Sequence, residues 1–165
     1  MKQMLKQPGL NGWSLFWLIV LPLSAVVALE MVRLGSGLKS GPGASAMISL
    51  SVRCAVPCLL LAFAASSIQV LRPGAVGLWL LRNRKYFGLA FAAMMAWQAL
   101  FIIMLVTIYR DYYISEVYLL RDVLEGLIGY CFLIAMTLTS FMPLRKRLRP
   151  KTWKWLHKIG IYSLW

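Results

Sequence analysis

Apolar positions in this chain fall into long uninterrupted runs, and short basic or Gly/Pro-rich stretches separate them. The runs cover about 12–32, 46–71, 87–108 and 122–141. Each is close to the ~20 residues that a helix needs to cross a hydrocarbon core of about 30 Å. A spanning β-barrel is written as short alternating segments, and FGLAFAAMMAWQALFIIMLV does not alternate. In lipid every backbone polar group must be satisfied within the structure, so such runs are helices. The pattern predicts an all-α fold: a polytopic transmembrane helix bundle in a single membrane domain with four full spans. A fifth run, 153–165, gives only about 20 Å of helix rise, and predicts an incomplete span at a truncated or degenerate C-terminus.

The segments between the runs carry their own signals. The first run follows a short basic start, as a signal peptide does, but it is too long for an h-region and no A-x-A-like site ends it. A retained span is expected, kinked at Pro22. RLGSGLKSGPGAS (33–45) predicts a flexible loop, and residues 72–86 predict a basic connector with a short interfacial turn at LWLL. YRDYYISEVY (109–118) has the aromatic composition of a membrane interface. PLRKRLRPKTWKW (143–155) is the most basic stretch.

Composition supports this picture. Of 165 residues 61% are hydrophobic and 14% charged, where a soluble domain carries roughly a quarter charged; the mean hydropathy is +0.72. The formal net charge of +13 is a second signal. A basic excess can mean nucleic acid, but these cations lie between apolar blocks and read as topology. Residues 1–11, 72–86 and 142–154 hold twelve Lys and Arg, and the alternating stretches 33–45 and 109–121 hold four. The positive-inside rule then predicts a cytoplasmic N-terminus and no nucleic-acid partner.

Ionisable groups inside spans are the first candidates for function, because burying a charge there costs at least about 2.5–3.5 kcal/mol. Arg53 lies inside the second run, with two readings: snorkelling to the outer interface, or pairing in the bundle with Glu30 or Glu125. His157 is the single histidine, either an interfacial residue beside the basic stretch or a haem ligand at the mouth of the last run. Gln98 is near the middle of the third run, where an amide ordinarily bonds a neighbouring helix. Cys54, Cys58 and Cys131 lie in apolar blocks and read as small buried hydrophobes. No Ser–His or Cys–His set, phosphate loop or carboxylate pair suggests a hydrolase or transferase.

Three stretches carry a family resemblance: LRNRKYFGLAFAAMMAWQALF (81–101), GLIGYCFLIAMTLTSF (126–141) and KTWKWLHKIGIYSLW (151–165). With SLSVR (49–53) and ASSIQVLRPG (65–74), they resemble the ferric reductase-like transmembrane domain over roughly residues 46–165. The nearest branch is the haem-binding membrane subunit of the bacterial protein-methionine-sulfoxide reductase system. The resemblance implies an oxidoreductase component of the bacterial inner membrane, moving electrons across the bilayer through haem b and working with a redox partner. His157 matches the family's histidine at the start of the fifth span, and Gln98 stands at a haem-ligand position of the third.

Three functions are therefore expected to compete. One is transmembrane electron transfer by a ferric reductase-like protein with a degenerate haem site. Another is a non-catalytic accessory or scaffold subunit of a larger membrane complex. A small transporter is the weakest, since no internal repeat or matched pair of interrupted helices is visible.

Overall fold

The structure, a computed structural model, describes residues 7–38, 40–141 and 146–164. Lys2, Lys6, Lys39, Arg145 and Trp165, which enter the charge count and the fifth run, lie outside the described residues. Of the described residues 90% are helical, and none is in a strand. Its main helices are α1 (Gly12–Leu34), α2 (Gly41–Leu71), α3 (Ala75–Ile108), α4 (Leu120–Thr139) and α5 (Pro150–Leu164). The first four are long and apolar enough to cross a membrane. They divide between two compact units, one ending at Tyr113 and the other beginning at Ile114.

The first unit is built on an antiparallel α2–α3 pair. Arg72, Pro73 and Gly74 join the two helices, and Pro73 has no backbone N–H with which to continue the first. The α2 face is made mostly of small side chains at a spacing near 3.5 residues: Ala44, Ser51, Ala55, Ala62 and Ala65 are all buried, along with the larger Met47 and Leu59. Across from it α3 buries larger ones, among them Leu80, Phe87, Met94 and Phe101. Small residues let two backbones approach closely in lipid, where packing rather than hydrophobicity drives association. At the turn, the Gln69 side chain occupies the place a Cβ of residue 77 would take, so only glycine fits at Gly77.

Helix α1 runs parallel to α3. Its first backbone N–H, on Gly12, donates to Asn83 Oδ1 at 3.0 Å, and further along Trp97 Nε1 donates to Ser24 Oγ at 3.1 Å. Leu15 joins the α2–α3 core beside Ala62, Ala65, Leu80 and Phe87. The helix stays unbroken across Pro22, and α2 does so across Pro57.

Several expected boundaries move outward. The stretch 33–45 is not a free loop: residues 35–38 form a 3-10 turn and α2 begins at Gly41. Ser40 caps it, its hydroxyl accepting from the Gly43 N–H at 3.2 Å, and Pro42 fits a first turn that needs no N–H. Gly41 packs against the Tyr112 ring with no room for a side chain. Gly41, which read as flexibility, therefore serves close packing. The connector 72–86 is likewise helical from Ala75, its cations Arg82, Arg84 and Lys85 lying on the exposed flank of α3. Residues 110–117 also wind into short helical turns.

In the second unit α5 lies antiparallel to α4. Trp153 Nε1 donates to the Thr139 carbonyl at 3.3 Å, and Gly160 sits against Met136 and Phe132 with no space for a Cβ. At 15 residues, α5 rises about 22 Å, short of a ~30 Å core.

Asn83 offers a direct test of the first unit. Asn83→Leu leaves the Gly12 N–H without its acceptor and removes one of the donors to Asn11 Oδ1. It is expected to cost about 1–3 kcal/mol, read as a lower midpoint of thermal unfolding in detergent. An unchanged midpoint would show that the bond to α1 contributes nothing.

Candidate functional site

The most connected polar group in the first unit gathers where α1 begins. Asn11 stands in extended conformation and Gly12 at φ 67°, a left-handed backbone that suits glycine. Asn83, only 1% exposed, donates through Nδ2 to Asn11 Oδ1 at 3.0 Å and to the Trp79 carbonyl at 3.1 Å. Arg82 also donates to Asn11 Oδ1, and Trp79 Nε1 donates to the Leu10 carbonyl at 2.9 Å. Trp13 meets Tyr86 edge-on with ring centroids 5.6 Å apart, and Trp79 meets Phe87 at 5.7 Å. Such a ring of aromatics and amides belongs at a membrane–water boundary. Its carboxamides are engaged with one another and with the backbone, so the cluster fixes where α1 enters. The sequence reading missed it, although the signal was there: the chain has only two asparagines, and they bond to each other.

Arg53 is exposed on α2. Because α2 starts at Gly41, Arg53 lies about 18 Å along the helix from that end. The register that sets Gln69 against Gly77 places it level with Ala93 on α3, about 15 Å beyond the Asn83 level. Taking the Asn83 level as one boundary, that is near the middle of a ~30 Å core.

Each proposed carboxylate partner is paired within its own helix. Glu30 pairs with Arg33 at 3.5 Å, three residues along its own helix, and Glu125 with Arg121 at 2.7 Å, four residues apart. Both pairs sit on helix surfaces, and pairs at these spacings are worth a few tenths of a kcal/mol in water.

Gln98 is half-buried on α3, next to the Trp97 that bonds Ser24. His157 is half-buried on α5. Its Nδ1 lies 3.2 Å from the Trp153 carbonyl oxygen, and its ring packs on Trp153 with centroids 4.3 Å apart. A carbonyl can only accept, so this bond places the proton on Nδ1. Gln98 and His157 belong to separate units. The donor set does not match a haem held by two histidines, since these 165 residues contain one.

Among the described residues no group of three or more His, Cys, Asp or Glu is placed to hold a metal ion. Cys58 is buried, as expected, and Cys54 is half-buried; Cys131 instead lies on an exposed face of α4. An apolar neighbourhood in sequence does not say which side of a helix a residue occupies, and that corrects the reading of Cys131. Compared with known proteins, the chain matches no family model, no curated protein and no solved structure.

The seat of His157 depends on Gly160 one turn further along α5. Gly160→Leu drives a side chain into Met136 and Phe132 and is expected to cost about 1–3 kcal/mol by overpacking. The check is limited trypsin digestion in membranes, with faster cleavage after Lys151, Lys154 and Lys158 in the variant.

Proposed function

We propose that this chain is a non-catalytic accessory subunit that packs into a larger membrane complex through the α2 face carrying Arg53. One observation supports the reading most: a guanidinium exposed well inside the apolar helix α2, while Glu30 and Glu125 are engaged with cations of their own helices. A charge at that depth costs at least about 2.5–3.5 kcal/mol when it meets lipid alone. A carboxylate or free backbone carbonyl on a partner helix offsets that cost. In this reading the N-terminus is cytoplasmic, from the distribution of Lys and Arg, and the membrane is a bacterial inner membrane, from the family resemblance.

The test is native electrophoresis of the protein expressed at its natural level and extracted in mild detergent. The wild type is expected to migrate with a partner, well above its own mass, and Arg53→Ala to release it. Arg53→Lys, which keeps the charge, is expected to retain much of the assembly. A wild type that migrates alone, or an Arg53→Ala protein that migrates as the wild type does, sinks the reading.

A second reading, a ferric reductase-like electron carrier with a one-histidine haem, is favoured by the orientation of His157. A backbone carbonyl that holds Nδ1–H leaves Nε2 as the basic nitrogen, which is how ligating imidazoles are commonly oriented. Bound haem would supply one-electron redox chemistry, and His157 would supply the axial nitrogen. Protein expressed with haem supplied should then show a reduced-minus-oxidised difference spectrum with a sharp α-band that His157→Ala abolishes. A featureless spectrum rules this reading out.

A further inference from the structure

Helix α5 has two unlike faces. Trp153, Leu156, His157 and Gly160 are buried or half-buried, with Trp153 and Gly160 in contact with α4. On the exposed side Lys151, Lys154, Trp155 and Lys158 share one face at helical spacing and line an open cleft of about 290 Å³. Below the lysines the exposed side continues as apolar surface through Ile159 (42% exposed) and Tyr162 (69%). From its N-terminal end onward this exposed side is thus cationic first and apolar afterwards.

The placement of α5 relates that order to the membrane. Trp153 is level with Thr139, the last residue of α4, so the first turn of α5 lies where a span ends and headgroups begin. Lys158 sits one turn deeper. Helical Cα–Cβ bonds tilt toward the helix N-terminus, which here is the surface end. The stems of Lys154 and Lys158 therefore lean toward the headgroups, lying along apolar surface with their ammonium groups at the top.

Among the described residues no ion pair engages these cations. The chain has no Asp or Glu after Glu125, and the ion pairs among the described residues are Arg33–Glu30 and Arg121–Glu125. We propose that this face of α5 is a binding site for a single anionic phospholipid. Its phosphate is held by Lys151, Lys154 and Lys158, and an acyl chain lies along Trp155, Ile159 and Tyr162. A free phosphate would use the lysines and leave the apolar strip unused. An acidic peptide would meet it at a depth where peptide does not lie. Only a lipid is anionic at the surface and apolar beneath it.

The site is tested by native mass spectrometry of the full chain in detergent micelles, titrated with phosphatidylglycerol or phosphatidylcholine of the same acyl composition. Phosphatidylglycerol is expected to remain bound and phosphatidylcholine to dissociate. Replacing all three lysines with glutamine should weaken phosphatidylglycerol binding on the order of a hundredfold, at about a tenfold step or less per cation. The triple arginine variant should retain it, which separates loss of charge from loss of fold. Trp155→Ala should weaken retention of the lipid.

Equal retention of the two lipids overturns the proposal, as does undiminished phosphatidylglycerol binding by the triple glutamine variant. Displacement of the lipid by millimolar inorganic phosphate would reassign the cleft to a free anion. Displacement by a polyglutamate peptide would reassign it to an acidic protein. Because the lysines lie far along the chain from Arg53, a failed subunit assay leaves this result unaffected, and the reverse also holds.

Discussion

The close approach of α2 and α3 is the contact on which the first unit rests. It exists because one helix presents mostly small side chains, chiefly alanine and serine, where the other presents mostly leucine, methionine and phenylalanine. Lipid tails are as apolar as these side chains, so no gain from leaving water holds the pair together. Close packing replaces it, and close packing requires the small side of α2. Gly77 beside Gln69 and Gly41 beside Tyr112 mark the ends of that contact. Helix α1 is an addition to the pair, fixed at its start by amide bonds and along its length by Trp97.

Charge is distributed on a different principle. The acids all lie at or before Glu125, and two of them are satisfied by cations a turn away on their own helices. The cations that remain are arranged around surfaces, except Arg53. One positive charge at mid-depth and a patch of them at the C-terminal end are two different problems for the bilayer. In the proposals made above, a partner helix answers the first and the membrane's own headgroups answer the second.

Much of this architecture was legible in the sequence, because a run of twenty apolar residues has few alternatives in lipid. The first, second and third runs end where their helices do to within about two residues, which is the ordinary uncertainty of helix ends. The starts of α2 and α3 were not legible. Glycine and proline at 41–43 read as a loop because their usual role is to break helices, yet here they cap one and admit a ring. Arg82, Arg84 and Lys85 read as a connector because charge interrupts hydropathy, although a helix flank carries charge readily.

The site was harder still. Arg53 was visible as a charge, but its depth depended on where α2 began. The Asn11–Asn83 bond joins residues 72 positions apart, beyond any local pattern. On α5 the basic stretch was plain, while the apolar strip beneath it emerged only once Gly160 fixed which face met α4.

The bond from Gly12 to Asn83 also sets an order of events during synthesis. Its acceptor is made 71 residues after its donor, an interval of several seconds at about 5–20 residues per second. Through that interval the first span is in existence without the group that finishes its N-terminal end. Its entrance is completed only when the third span arrives beside it, so the earliest helix of the protein waits for the third to be locked in place.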